Sequence, residues 1–247
     1  MNGPGAITPV PVPESAQRIL LFGGSFDPPH MGHVRLAIAA RAALGAGEPC
    51  LETWLVYVPA ARSPHKPDAP EASDEDRLAM LRLATADLDR VAIWTDEIDR
   101  ARAGEDDAPA PSYMIDTLRR ARSVLRDDVE IRLLIGADQA VSFDRWREPR
   151  RIIALAQPVV MLREPTETTG ALIREMEATG AWTPEELDRW ARWVVPVALD
   201  PASATAVRAA LHGPRTGATG LDGLLDERVL AYIERRGLYR DPGVSER

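Results

Sequence analysis

Apolar residues along the chain fall into short unbroken runs, separated by stretches of helical period. The first run, Arg18 to Gly24 (RILLFGG), stops at two glycines and predicts a buried strand ending in a tight turn. Met31–Leu44 is rich in alanine and other helix formers, and predicts a helix that closes near Gly45. Glu52–Val58 (ETWLVYV) is β-branched and aromatic, a second strand stopped by Pro59. Asp74–Ala86 has helical period behind Ser73 as N-cap, Val91–Ile98 reads as a third strand, and Ser112–Leu125 reads as a helix with Ser112 as its cap. Ile131–Ile135 is a continuous apolar run ending at Gly136, the form expected of a central parallel strand. Pro158–Leu162 and Val194–Leu199 predict further strands, and Ser203–Leu211 and Leu224–Arg235 the last helices. The segment Gly170–Trp193, with Trp182, Trp190 and Trp193, reads as one or two amphipathic helices that serve as lid, interface or extra core.

Strands alternating with helices at these spacings predict an α/β fold: a parallel sheet with helices on both faces. Such a sheet binds ligands beyond the carboxyl ends of its strands, near the point where strand order reverses. Residues 1–17, rich in Pro, Gly and small side chains, read as a flexible leader. Residues 18–240 read as one domain, with a C-terminal helical part over about 203–240, and 241–247 as a tail.

At 247 residues, with 45% apolar and 28% charged side chains, the composition is that of a globular chain with a sizeable core. The net charge of −8 repels polyanions, so a nucleic-acid partner is not expected and an anionic ligand needs a local cluster of donors. Cys50 is the only cysteine, which excludes an intramolecular disulfide and a Cys-rich zinc site. No apolar run approaches the ~18 residues of a membrane span, and there is no secretory signal pattern. The expectation is a cytoplasmic protein without a membrane partner. A homo-oligomer is compatible with the sequence, which does not fix the oligomeric state.

The local donor cluster sits between the first strand and the first helix, in GGSFDPPHMGH. Gly23 and Gly24 let the backbone approach a ligand, Pro28 and Pro29 set the helix entry, and His30 and His33 share one face of its first turn. Imidazoles beside a helix N-terminus suit phosphate. The pattern lacks the Gly-Lys-Ser/Thr ending of a Walker loop and the glycine spacing of a dinucleotide fingerprint. A second element, SATAVR, puts Ser203, Thr205 and Arg208 in the first turns of a late helix. Alone it reads as a capped, solvated helix.

These residues resemble the signature of the HxGH nucleotidyltransferase superfamily, whose Gly-Gly-Thr/Ser-Phe-Asp-Pro turn precedes His-x-Gly-His. The resemblance implies a Rossmann-like domain in which His30 and His33 contact ATP phosphates and stabilise the transition state. It implies that Ser203, Thr205 and Arg208 grip the β- and γ-phosphates, with Ala202 standing where the family usually carries an aliphatic residue. Gly23, Gly24, Ser25, Phe26, Gly136 and Asp138 complete the implied ATP site, and His30, His33 and Arg208 the implied catalytic set.

Three more segments bear on the acceptor: Pro64-His65-Lys66, Ser112-Tyr113-Met114, and Gly136-Ala-Asp138 followed by Trp146. Physically, Asp138 can accept from ribose hydroxyls or sit near a metal, and Trp146 can stack on a flat ring or belong to the core. Together the segments, and the ending LLDERVLAYIERRGLYR, resemble bacterial nicotinate-nucleotide adenylyltransferases from about Ile19 to Arg240, with insertions around Ala101–Asp107 and within Glu164–Trp190. The resemblance implies adenylyl transfer from ATP to nicotinate mononucleotide, with Mg²⁺ carried by ATP and no protein-built metal site. Asp27, His65, Lys66, Ser112, Tyr113, Met114, Asp138, Trp146 and Arg147 would line the mononucleotide site. Met114 stands where the family has Thr, close to the nicotinate carboxylate, and Arg147 offers a compensating charge. Nicotinamide mononucleotide is the alternative acceptor, and a non-catalytic nucleotide sensor of the same fold is the alternative role.

Overall fold

Each central strand sends alternate side chains to opposite faces, and both faces are buried. Ile19 and Leu21 enter one core cluster while Leu20 and Phe22 enter another, and Val56/Val58 part from Leu55/Tyr57 in the same way. A strand apolar at successive positions, as ILLF and LVYV are, must therefore lie between two layers of helix. The computed structural model describes residues 7–45, 51–62, 69–104, 112–197, 204–212, 221 and 223–240.

Six strands, β1 (Arg18–Gly24), β2 (Thr53–Pro59), β3 (Val91–Ile93), β4 (Glu130–Gly136), β5 (Gln157–Met161) and β6 (Val194–Val195), pair in parallel in the order β3-β2-β1-β4-β5-β6. The order reverses between β1 and β4, where Leu21 pairs Leu133 and Phe22 pairs Leu134. The crevice beyond these two carboxyl ends is the expected ligand position for such a sheet.

On one face lie α1 (Met31–Gly45) and α2 (Asp74–Thr85), which bury Ala37, Ala40 and Leu81. On the other lie α4 (Met114–Val124), α6 (Pro149–Leu155), α7 (Thr169–Ala178) and α8 (Pro184–Arg192), which bury Ile115, Leu118, Ile152, Leu172, Leu187 and Trp190. The short α5 (Ala137–Val141) follows β4, and α3 (Asp96–Ala103) follows β3. The C-terminal α9 (Ala204–His212) and α10 (Glu227–Arg236) form a third core with Val34 of α1 and Met80 and Ala84 of α2.

Three expectations change. The third strand stops at Ile93 rather than Ile98, because Thr95-Asp96-Glu97 opens α3. Asp96, fully buried, accepts both guanidinium arms of Arg120 on α4 at 2.8–2.9 Å, a bond that holds the new helix against α4. Residues 7–17, expected as part of a flexible leader, are packed instead. Thr8 Oγ1 donates to Asp99 at 2.8 Å, Trp94 Nε1 donates to the Thr8 carbonyl at 2.9 Å, and Val10 and Ala16 are buried. The last strand is the two-residue β6, and residues 198–199 of its expected extent lie outside the described residues. No helix among the described residues is long and apolar enough to cross a membrane.

Candidate active site

β1 ends in Gly23-Gly24, and the turn that follows brings both histidines back over it. Phe26 takes φ 47°, in the left-handed region that costs a non-glycine residue about 1–2 kcal/mol. It is held there by packing: its ring is 1% exposed and meets Phe22, His33 and Tyr57 edge-on at 5.6, 5.1 and 5.5 Å. The side chain of Phe26 is thus spent on the core, and only its backbone faces the turn. The Gly24 carbonyl accepts from Ala60 N at 2.9 Å, and the Ser25 carbonyl from the fully buried Arg77 at 2.6 Å, which fix the turn to β2 and α2.

His30 and His33 stack with centroids 3.7 Å apart and planes 28° from parallel. His33 Nδ1 accepts from the His30 backbone N–H at 3.2 Å, which assigns the proton of a neutral His33 to Nε2 and makes that atom a donor. The first-turn N–H groups of α1 are largely used internally. Met31 N donates to the Leu224 carbonyl at 2.7 Å and His33 N to the His30 carbonyl at 2.9 Å, so the imidazoles rather than the helix terminus are the donors this loop offers an anion. Arg208, on α9, reaches the same loop and donates to the Asp27 carbonyl at 2.7 Å. Thr205 is exposed on the first turn of α9. Ser203, His65 and Lys66 lie outside the described residues.

Asp27, expected at the mononucleotide, is tied to the rest of the fold by its carboxylate. Its carboxylate accepts from Glu71 N at 2.8 Å, Ala72 N at 3.1 Å and the Tyr239 hydroxyl at 2.6 Å, and it is buried. Burial, with Asp27 beside it, pushes the Tyr239 phenol well above its usual range.

Between the ends of β1 and β4 opens a cavity. Its floor is Gly23, Gly24 and Ile135, and its sides carry Ser112, Tyr113, Met114, Trp146 and Arg147, five of the residues expected around the mononucleotide. A Cβ on Gly23 would stand 2.9 Å from Met114 Cε, so the Met114 methyl fills the space that the glycine leaves open. Trp146 is half-buried, with one face stacked on Phe143 at 4.7 Å. Arg147 sits 5.0 Å over the Tyr113 ring and 3.7 Å from Asp116, which places its cation at the rim. Ser112 is not the cap of α4. Tyr113 holds that position without a side-chain bond, and Ser112 lies beside Glu97.

Two residues that sequence reasoning missed stand here. Glu97 lies in the cavity wall, accepts from Thr117 Oγ1 at 2.5 Å, and has its carboxyl pushed up by burial against the lowering effect of Thr117, Arg100 and Ser112. It was hidden inside a stretch read as strand, although Thr-Asp-Glu is a helix-start signal. Arg163, just past β5, pairs with Asp138 at 2.5 Å. A Cβ on Gly136 would lie 2.7 Å from Asp138 Oδ1, so the glycine leaves room for this pair at the mouth of β4. The position just after a parallel strand was the available signal for Arg163. Among the described residues no three His, Cys, Asp or Glu side chains converge as metal ligands.

The arrangement offers neighbouring surfaces at the carboxyl ends of β1 and β4: a donor surface for phosphates and a cavity with an indole and a cation for a flat, anionic group. A model of the cytidylyltransferase-like family matches residues 21–210. A protein of Chromobacterium violaceum described as a probable nicotinate-nucleotide adenylyltransferase is 36% identical over 229 residues, covering 90% of this chain and 99% of its own length. A protein of Pseudomonas putida with the same description is 33% identical over 237 residues, covering 93% and 98%. In fold the chain is similar to the Plasmodium falciparum nicotinic acid mononucleotide adenylyltransferase complexed with NaAD, with a TM-score of 0.61 at 13% identity over 90% of this chain and 97% of that one.

Proposed function

The chain belongs to the cytidylyltransferase-like family and, within it, to the nicotinate-nucleotide adenylyltransferases, and on that premise we propose that it transfers the adenylyl group of ATP to nicotinate mononucleotide. The products are deamido-NAD and pyrophosphate. The observation that carries this reading is the stacked His30–His33 pair at the end of β1, beside a cavity lined by Tyr113, Met114, Trp146 and Arg147.

The acceptor's 5′-phosphate oxygen attacks the α-phosphorus of ATP. One P–O bond forms as the bond from the α-phosphorus to the bridging oxygen breaks, and that oxygen leaves with pyrophosphate. No protein nucleophile is needed, because the attacking phosphate is already an anion. The protein positions the two substrates and neutralises charge that develops in the transition state. We assign donation to the triphosphate to His33 Nε2, His30, Arg208, Thr205 and Ser203. Ser25 and the Gly23-Gly24 turn border the phosphates. Asp138, released from or shared with Arg163, would accept from the ATP ribose. His65 and Lys66 would approach the acceptor phosphate, and Trp146 would stack on the pyridine ring. Arg147 and the uncapped first turn of α4 at Met114 would meet the ring's carboxylate. Mg²⁺ enters as part of the ATP complex, where it offsets triphosphate charge. The acidic net charge disfavours nucleic acid as a ligand, and we place the reaction in the cytoplasm.

Pyrophosphate release from ATP and Mg²⁺, with nicotinate and nicotinamide mononucleotide in parallel, tests the reading. The expected outcome is preference for the acid form, with His33→Ala lowering turnover ~10²–10³-fold on an intact fold. Preference for the amide would move the acceptor assignment, and turnover of neither would overturn the reaction. A loss below about fivefold in His33→Ala would remove His33 from the mechanism.

A further inference from the structure

Two buried carboxyl groups at the start of α3 bond to α4, and they do so at different points. Asp96 takes the guanidinium of Arg120 and so pins the middle of the helix. Glu97 takes the hydroxyl of Thr117, three residues past the first of the helix, at 2.5 Å. Thr117 is fully buried and Glu97 is 4% exposed, so the bond is shielded from water. Arg100 Nη2 donates to the same hydroxyl oxygen at 3.1 Å, which leaves the Thr117 proton for Glu97. Glu97 also lines the acceptor cavity, together with Ser112, Tyr113 and Met114.

Thr117 is also the residue that closes the first turn of α4. Its backbone N–H donates to the Tyr113 carbonyl at 3.3 Å, and Asp116 N donates to the same carbonyl at 3.0 Å. Tyr113 brings no side-chain cap to that turn, and a helix start without one frays readily. Its approach is fixed from outside the helix. Ser112 N donates to the Arg62 carbonyl at 2.9 Å, and the Met114 methyl occupies the space beside Gly23. The bond from Thr117 to Glu97 ties the turn itself to α3. One residue thus joins the backbone of the cavity wall to a buried acceptor on the neighbouring helix.

We propose that Glu97 is a positioning residue for the acceptor: by taking the Thr117 hydroxyl it holds the first turn of α4 where that turn meets the acceptor's ring. This rests on the reading above that the ring's carboxylate is met by Arg147 and the start of α4. Without the carboxyl the turn is held by its own two backbone bonds, and the buried Thr117 hydroxyl has lost its acceptor. The Tyr113–Met114 backbone then shifts at the cavity wall, and a ligand read by fixed groups binds more weakly. The donors assigned to the triphosphate lie on the turn after β1, on α1 and on α9, and are outside this link.

The test compares the full-length enzyme with Glu97→Ala, Glu97→Gln and Thr117→Val, each checked for folding by its melting transition. Glu97→Ala should raise KM for nicotinate mononucleotide about five- to tenfold, while KM for ATP and kcat stay within about twofold. Thr117→Val removes the same bond from the other side and should raise the acceptor KM to a similar extent. Glu97→Gln keeps an acceptor oxygen for Thr117 and should stay within about twofold of wild type. Glu97→Ala and Thr117→Val combined should exceed the larger single effect by less than about twofold, because both break one link. An unchanged acceptor KM in Glu97→Ala, equal shifts for acceptor and ATP, or a glutamine variant as impaired as the alanine one would each overturn the proposal. If Glu97→Ala did not fold, Thr117→Val against Glu97→Gln would decide it on the same criteria. If the wild-type enzyme turned over no pyridine mononucleotide, the functional reading would fail separately. The inference would then be decided by hydrogen exchange at the Tyr113 and Met114 amides. Exchange about tenfold faster in Thr117→Val, with wild-type rates in Glu97→Gln, supports it, and unchanged rates overturn it.

Discussion

Glu97 is a carboxyl group with 4% of its surface exposed, and its partners are hydroxyls and a nearby cation rather than water. Burial disfavours the charged form more than Thr117, Arg100 and Ser112 favour it, so the folded protein holds this proton more tightly than an unfolded chain would, where a Glu titrates near ~4.3. The native state then binds more protons than the unfolded state at pH values above ~4.3. The stability that Glu97 contributes is complete below that value and is lost as pH rises through the folded pKa. Glutamine keeps the shape and has no proton to lose. The melting temperature of Glu97→Gln relative to wild type should therefore rise between about pH 4 and pH 8, and a difference that stays flat would place Glu97 outside this account. The same residue carries the Ser112 contact, which makes it part of the wall that the acceptor would meet.

Helix ends show where local stability and ligand access part company. α2 is capped fully. Ser73 Oγ accepts from Asp76 N at 3.1 Å and donates to Asp76 Oδ2 at 2.8 Å, and the first turn carries Asp74, Glu75 and Asp76, favourable at a helix N-terminus. α4 has no side-chain cap, and its first turn borders the cavity. Ser73→Ala should lower the free energy of unfolding by about 1 kcal/mol in a denaturant titration, and an unchanged midpoint would show that the cap contributes nothing. α2 has a second task that makes its cap matter: it carries Arg77, whose guanidinium bonds both Asp74 and the Ser25 carbonyl of the glycine turn, each at 2.6 Å. A helix that frays at its start would loosen the turn from which His30 and His33 project.

Across the whole molecule, the C-terminal elements close on the loop that follows β1. Tyr239, past α10, donates to Asp27 at 2.6 Å, and Arg208 of α9 donates to the Asp27 carbonyl at 2.7 Å. The third core, with Val207, Leu211, Val229 and Ile233 packed on α1 and α2, holds both of these partners in place. Tyr239→Phe removes one donor from a buried carboxylate and leaves two backbone N–H groups. It should cost about 1–3 kcal/mol in denaturant unfolding, and full retention of stability would mean that the backbone donors suffice.

The sequence by itself determined the layered α/β plan, because strands apolar at every position require helices on both sides, as Leu20 and Leu21 show by entering opposite cores. It determined the strand-end position of GGSFDPPHMGH and of Gly136, since local runs and glycines mark strand ends without reference to the rest of the chain. Tertiary structure alone decided matters that depend on partners distant in sequence. The helix-start signal at Thr95-Asp96-Glu97 sits directly after an apolar run, and only the fold supplied Arg120, 24 residues past Asp96, as the partner at the first turn of α3. Nothing near Asp27 in the sequence pointed to Tyr239, 212 positions away, as the donor to its carboxylate. Arg163 stands just past a strand end, but its partner Asp138 was set only when β5 paired with β4. The leader-like residues 7–17 were ordered by Trp94 and Asp99. The physical reason is common to all four: hydrophobic period and turn chemistry are local, whereas the partner of a charge or donor is set by which strands and helices become neighbours.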